Sequence, residues 1–246
     1  MRSAVDLIPR NDISTIYFDL DGTLRHNQPT FLEALSDFNL QLGLPIEIAN
    51  TRQAHRWLHN YWAQSPELIA DRETFGEDEG SFWVNHSRRY LLASGCQPDQ
   101  AAQFAPDLTE CMRDRYSPVD TLADNVGGLL HNLQQNDFRL AVISNRTNPF
   151  DEQLESLGIS SYFEYSLAAG TIDAWKPDPI IFQHALTQMN VKPEQAVYVG
   201  DNYFADVLGA NNAGIQPILI DPVGLFPEAN CTVIKTIGDL EFSLTE

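Results

Sequence analysis

The chain has 246 residues, 43% of them hydrophobic and 20% charged, ordinary globular values that exclude disordered, collagen-like and coiled-coil readings. Fifteen Lys and Arg against 34 Asp and Glu leave a formal charge of −19, which opposes partnership with nucleic acid or an anionic membrane. No run reaches the roughly 18 apolar residues of a membrane span, and residues 1–11 lack the apolar core of a signal peptide, so the expectation is a soluble, cytoplasmic protein.

Residues 1–14 carry no periodicity and read as a lead-in. Ile16-Tyr17-Phe18 is an apolar run with β-branched and aromatic residues, predicted to be a buried strand that delivers Asp19 and Asp21 onto the turn at Gly22-Thr23. Residues i and i+2 of a strand share a face, so the two carboxylates would repel each other unless a cation or a shared proton intervenes. From 28 to 116 there is hardly a β-branched run, and the segment divides into helical pieces punctuated by Pro and Gly. Phe31, Leu32, Leu35, Phe38 and Leu42 mark the first, closed by Gly43 and Pro45; Ile48, Arg52, His55, Leu58 and Trp62 mark the second. A third runs over 82–92 to Gly95, and Ala101, Phe104, Leu108 and Met112 mark a fourth, ended by Pro118. The acidic stretch 76–80 reads as a solvated loop.

From 125 helices and strands alternate: helix 125–135, strand 139–143 followed by Ser144-Asn145, helix 149–157 capped by Gly158, a weaker strand at 162–166. Helix 179–189 then leads to strand 196–199, which ends in Gly200-Asp201; helix 204–213, capped by Gly214, precedes strand 217–220. The tail adds an edge strand at 233–234 and a short helix at 239–244. Strands separated by helices of this length predict an α/β fold, a doubly wound and mostly parallel sheet, with residues 25–119 inserted as an all-helical domain. Asp19, Asp21, Ser144 and Asp201 all follow apolar strands, at the end of the sheet where ligands bind.

A carboxylate can attack phosphorus and divide a hydrolysis into two displacements, and Asp19 is the candidate nucleophile. An anion approaching a dianion calls for Mg²⁺ held by hard oxygen ligands, for which Asp19, Asp201 and the main-chain carbonyl of Asp21 are the candidates. The Asp21 side chain is then free to serve as acid and base, and Thr23 to buttress the nucleophile. Ser144 and a backbone N–H near Asn145 supply neutral donors to phosphoryl oxygens, Lys176 a charged one, and Asp206 supports Lys176 or a metal-bound water. Thr23, Asn145 and Arg25 are the substrate-binding candidates. Pro177 restricts Lys176 to an extended conformation ahead of a helix.

Phe18-Asp19-Leu20-Asp21-Gly22-Thr23, Ile143-Ser144-Asn145, Lys176-Pro177-Asp178-Pro179 and the stretch from Val199-Gly200-Asp201 to Asp206 resemble, in order, the four motifs of the haloacid dehalogenase-like (HAD) hydrolase superfamily. The resemblance is to the branch with a helical cap between the first and second motifs. It implies a Rossmann-like core over 1–24 and 120–246, a cap over 25–119, Mg²⁺ dependence, and phosphatase action on a small phosphorylated metabolite. Dehalogenases of the family lack the second aspartate of the first motif, because a carbon–halogen bond needs no proton on its leaving group; Asp21 therefore argues for phosphate. A phosphomutase of a sugar phosphate keeps the same aspartate and stays open, as does a catalytically silent member acting as a binding subunit. Where many relatives carry an acidic residue or Ser shortly after the first motif, this chain has Arg25-His26-Asn27. The insert's Trp57, Tyr61, Trp62 and Trp83 either stack on a substrate ring or pack its core, and Arg88-Arg89 either meets a substrate anion or lies on a solvated face.

Overall fold

The computed structural model describes residues 8–9, 13–44, 48–240 and 242–243. In chain order the strands are β1 (Ile8–Pro9), β2 (Thr15–Phe18), β3 (Arg25–Gln28), β4 (Val119–Leu122), β5 (Arg139–Ser144), β6 (Tyr165–Ala168), β7 (Ala196–Gly200), β8 (Gln216–Ile220), β9 (Thr232–Ile234) and β10 (Phe242–Ser243). The helices are α1 (Phe31–Gln41), α2 (Ile48–Trp62), α3 (Pro66–Phe75), α4 (Glu79–Ala93), α5 (Pro98–Arg115), α6 (Val126–Gln135), α7 (Asp151–Ser156), α8 (Ala169–Ile172), α9 (Pro179–Met189) and α10 (Leu208–Asn212). None among the described residues is long and apolar enough to cross a membrane.

Six strands form one sheet in the order β6-β5-β2-β7-β8-β9, with every neighbouring pair parallel. The chain leaves β2 for β5 and β6 on one side, then returns to β7, β8 and β9 on the other. The reversal flanks β2, so the loops leaving β2, β5 and β7 diverge around a crevice at the carboxyl ends of the strands. Both faces of the sheet are covered, which is why β2 reads as a continuous apolar run. Ile16 and Phe18 join Val142, Val199 and the α6 residues Leu130 and Leu133 in one core. Tyr17 turns the other way, with Ile143 and Tyr198, against Ile181, Phe182 and Ala185 of α9.

The chain divides into two compact units, Met1–His26 with Thr121–Glu246, and Asn27–Asp120. The second unit is built of α1 to α5. Thr30 and Glu33 form a capping box on α1, while Ser65 followed by Pro66 starts α3. Trp57, Tyr61, Trp62 and Trp83 close around His86, with ring centroids 5.1 to 5.6 Å from the imidazole. Tyr61 is fully buried and Trp57 and Trp62 pack against the core of their own unit, while Trp83 is 39% exposed; burial pushes the His86 imidazole down to about 4. Arg89 pairs with Asp71 at 2.8 Å and with Glu67 at 3.4 Å, and Arg88 donates to Asn85 at 2.9 Å.

Several elements differ from expectation. Helix α3 has no apolar stripe; it buries Leu68 beside Asp71, whose carboxylate is satisfied by Tyr61 and Arg89. Residues 79–80, expected in the acidic loop, begin α4, because Asp78 accepts from the Ser81 N–H and caps it. Strands β3 and β4, which pair with each other, lack alternation and were not expected. The expected helix 204–213 opens as a π-helical turn, Tyr203–Val207, before α10, and β6 lies later than 162–166, since Ser160–Tyr162 forms a 3₁₀ turn. In place of a helix over 239–244 there is a 3₁₀ turn, Ile237–Asp239, and then β10. The expected stop at Pro45 and the lead-in up to residue 12, β1 excepted, lie outside the described residues.

Candidate active site

The chemistry-bearing side chains follow the carboxyl ends of β2, β5 and β7, joined by Lys176 from the segment between α8 and α9. The Asp19 N–H donates to the Val199 carbonyl at 2.9 Å, which extends the β2–β7 ladder by one residue and points the carboxylate beyond the sheet. The turn behind it closes through Gly22 N–H to Arg25 C=O at 2.8 Å and Arg25 N–H to Leu20 C=O at 3.0 Å. Gly22 has φ +90°, and a β-carbon there would sit 2.5 Å from Asp201 Oδ2. Only glycine supplies both the backbone angle and the space.

Asn145, after β5, clips the lysine segment to the sheet: its Nδ2 donates to the Lys176 carbonyl at 2.9 Å and its Oδ1 accepts the Lys176 N–H at 2.7 Å. The Lys176–Pro177 peptide is cis, and Asp178 caps α9 by accepting the Ile180 N–H at 2.9 Å. Lys176 is buried, and its ammonium donates to Asp19 Oδ1 at 2.6 Å, Asp206 Oδ1 at 2.6 Å and the Tyr198 hydroxyl at 2.9 Å. All three of its protons are therefore placed. The Tyr198 hydroxyl in turn donates a hydrogen bond to the Ile143 carbonyl at 3.0 Å. The other Asp206 oxygen accepts the Asn202 N–H at 2.9 Å, and Asn202 caps the next turn through Phe204 and Ala205.

One carboxylate oxygen each of Asp19, Asp201 and Asp206 can be chosen so that all lie within 4.8 Å of one another. Burial raises the Asp19 carboxyl; Lys176 pulls it back, Asp206 and Asp21 push again, and the net is upward. Asp201 is held well above the ordinary carboxylate range by burial and by the charges of Asp19 and Asp206. On Lys176 burial works downward, but Asp19 and Asp206 outweigh it and hold the ammonium charged. Three carboxylates facing a single ammonium form a cluster of hard oxygens whose charge a divalent cation would balance, so the residues fit a Mg²⁺ site.

Asp21 lies outside that cluster. Its Oδ1 accepts from Arg25 Nη1 at 2.5 Å and Arg146 Nη2 at 2.7 Å, and its Oδ2 from Arg146 Nε at 2.7 Å. Burial alone would raise this carboxyl, but the hydrogen bond and charge of Arg146, together with Arg25, keep it below its ordinary value. Arg25, expected in the substrate pocket, is 7% exposed and turned onto Asp21. Thr23, expected to brace Asp19, gives its hydroxyl to Asp201 Oδ1 at 3.4 Å instead, because the turn carries it past the nucleophile. Ser144 is buried at the end of β5. Sequence reasoning missed Arg146 and Tyr198. The first directly follows Ser144-Asn145, and the second is a hydroxyl inside an apolar strand three residues before Asp201, a position worth a partner search.

Fold and site together define a doubly wound α/β enzyme with an acidic, lysine-bridged centre at its switch point. The family model described as haloacid dehalogenase-like hydrolase matches residues 13–214, and the chain belongs to that family. It is 39% identical over 220 residues to the glyceraldehyde 3-phosphate phosphatase of Methanothermobacter thermautotrophicus, covering 85% of this chain and 86% of that one. It is 28% identical over 247 residues to the phosphoserine phosphatase of Thermus thermophilus, covering 92% and 95%. Among solved structures, a predicted phosphoglycolate phosphatase from Haemophilus somnus 129pt superposes with a TM-score of 0.59 over 94% of this chain and 97% of that one at 19% identity, a likeness of fold.

Proposed function

We propose that this chain hydrolyses small phosphomonoesters in a Mg²⁺-dependent reaction through an aspartyl-phosphate on Asp19. The observation that carries the reading is the Lys176 bridge. A buried ammonium 2.6 Å from both Asp19 and Asp206 holds the nucleophile in one orientation and leaves its other oxygen for phosphorus. The family membership and the relatives named for phosphomonoesters support the same chemistry. In this reading residues 1–24 and 120–246 form the catalytic core and 25–119 the cap.

Asp19 attacks phosphorus, the P–O bond to the alcohol breaks, and the departing alkoxide takes a proton from Asp21, which must first acquire it from solvent because its arginine partners favour the carboxylate in the substrate-free site. Asp21, then a carboxylate, removes a proton from the water that attacks the aspartyl-phosphate, releasing phosphate and restoring Asp19. The Ser144 hydroxyl and the Asn145 backbone N–H donate to the non-bridging oxygens, and Lys176 offsets their charge. Asp206 is committed to Lys176 and the Asn202 N–H, so the groups that would hold a Mg²⁺ are the carboxylates of Asp19 and Asp201 and the carbonyl of Asp21. A Mg²⁺ bound there would screen the nucleophile from the phosphoryl dianion.

The test is phosphate release from para-nitrophenyl phosphate and a panel of metabolite phosphates, with Mg²⁺ or EDTA, for wild type beside Asp19→Asn. Release that depends on both metal and Asp19 is expected. Release indifferent to either would overturn the mechanism, and no release from any ester would overturn the activity.

A further inference from the structure

The Asp21 clamp holds a second arginine that the proposed chemistry does not use. Arg146 meets Asp21 side-on, Nε to Oδ2 and Nη2 to Oδ1 at 2.7 Å each, the planar fork with which a guanidinium grips a carboxylate. Arg25 reaches the same carboxylate from the buried side. The Arg25 side chain is 8% exposed and that of Arg146 29% exposed, beside an Asp21 side chain 41% exposed. Of the two arginines, Arg146 is the one that solvent and a ligand can reach. If it swings away, Asp21 keeps its bond to Arg25.

The position of the fork sets what it can meet. In the proposed reaction Asp21 faces the ester oxygen of the leaving alcohol, and the Arg146 fork lies one hydrogen bond from Asp21. A group gripped by Arg146 therefore sits on the alcohol portion, a few bonds from the ester oxygen, and not on the transferred phosphoryl group. As long as the fork occupies Oδ2, that oxygen is aimed at Arg146 and away from a leaving group. A ligand that offers Arg146 a replacement carboxylate would free it.

We propose that Arg146 is a specificity-determining residue that exchanges Asp21 for a carboxylate on the substrate, so that the preferred substrates are phosphomonoesters of short hydroxy acids. The remainder of the side chain suits such an exchange. Arg146 Nη1 donates to Gln153 Oε1, and the guanidinium carbon lies 6.0 Å from the centroid of the Phe150 ring, so the guanidinium has partners besides Asp21. The exchange substitutes one charge-assisted carboxylate pair for another, which makes it nearly balanced for a carboxylate and unfavourable for a neutral tail.

This inference rests on the phosphohydrolase reading for the placement of the substrate, and its test separates the two. Steady-state kinetics of the full chain with Mg²⁺ would compare 3-phosphoglycerate with glycerol 3-phosphate, and 2-phosphoglycolate with 2-hydroxyethyl phosphate, for wild type, Arg146→Gln and Arg146→Lys. A bisphosphate arm, 1,3-propanediol bisphosphate, tests whether a second phosphate serves as well as a carboxylate. Wild type should favour the acid of each pair by about 10-fold or more in kcat/KM, and Arg146→Gln should erase that ratio, mostly through KM, as expected for a lost charged hydrogen-bond pair. Arg146→Lys, which keeps the charge without the fork, should retain part of it.

Calorimetric titration with the non-hydrolysable pair 3-phosphonopropionate and propylphosphonate reads the same preference without turnover. A preference seen there and lost in Arg146→Gln, with no hydrolysis of any ester, would uphold Arg146 as the carboxylate-binding residue and sink the phosphohydrolase reading. Equal affinity of wild type for both phosphonates, a loss in Arg146→Gln that is equal for acid and neutral esters, or a preference for the bisphosphate over the acids would overturn it.

Discussion

Lys176→Met isolates the charge balance of the site, because methionine keeps the apolar stem and deletes the ammonium. Three hydrogen bonds of 2.6, 2.6 and 2.9 Å disappear, leaving buried Asp19 and Asp206 facing each other and Asp201. Removing one partner of a buried ion pair costs about 3–5 kcal/mol, and a chain of this size loses roughly 2–4 °C of melting temperature per kcal/mol, so a drop on the order of 10 °C is expected in EDTA at pH 7. The pH dependence has a fixed sign. A buried carboxyl raised above its ordinary 3.8, with its Lys176 counterweight gone, binds more protons folded than unfolded above that pH. Stability of the variant should therefore fall further behind wild type as pH rises from 5 to 8. Mg²⁺ supplies positive charge to the same carboxylates, so saturating metal, at about 100 times its dissociation constant, should return about 2–3 kcal/mol. Phosphate release should fall about 10²-fold or more even so, since the nucleophile loses its orienting donor. Calorimetric melts with and without Mg²⁺ across that pH range are the assay. A variant that melts within about 2 °C of wild type in EDTA would refute the reasoning.

Tyr198→Phe removes one acceptor from the buried ammonium and should cost about 1.5–3 kcal/mol in chemical denaturation; because two charged partners remain on Lys176, the activity loss should be smaller than that of Lys176→Met. Gly22→Ala forces a side chain into φ +90° and within 2.5 Å of Asp201 Oδ2, which should cost about 1–3 kcal/mol and weaken Mg²⁺ binding measured by calorimetry; an unchanged metal affinity would show that Asp201 is not a ligand. His86 is held neutral, with its imidazole pushed down to about 4 from 6.5, so the unfolded chain binds the extra proton between those values and stability is lost as pH falls through that window. The loss should reach about 2 kcal/mol by pH 5. His86→Phe should remove that part of the acid sensitivity in urea titrations at pH 7 and 5, and an identical pH slope in both proteins would contradict it.

What the sequence made legible and what it concealed separate along one physical line. Ile16 to Phe18, Leu140 to Ile143 and Ala196 to Val199 are apolar on both faces, and a strand buried on both faces has to appear as an unbroken run. The polar residues ending such runs, Asp19, Ser144 and Asp201, were readable for the same reason. Helix α3 was not, because its inner face meets Tyr61 and Arg89 through Asp71 as well as apolar neighbours, so no apolar stripe of helical period marks it. Strands β3 and β4 are short and partly exposed, and their pairing joins segments some 90 residues apart.

The site divides in the same way. Its backbone carriers announce themselves locally, whereas its side-chain pairings, Arg25 with Asp21 apart, span the chain: Lys176 with Asp19 across 157 positions, Arg146 with Asp21 across 125. A local rule therefore identified Asp21 as a carboxylate at a strand end but had no means of finding the guanidinium that occupies it. The departure of Arg25-His26-Asn27 from the family pattern was visible as an anomaly. The structure turns part of that anomaly into a cause: Arg25 takes the buried side of Asp21, which leaves the outer side to the more accessible Arg146 and makes that side the place where the identity of the leaving alcohol can be read.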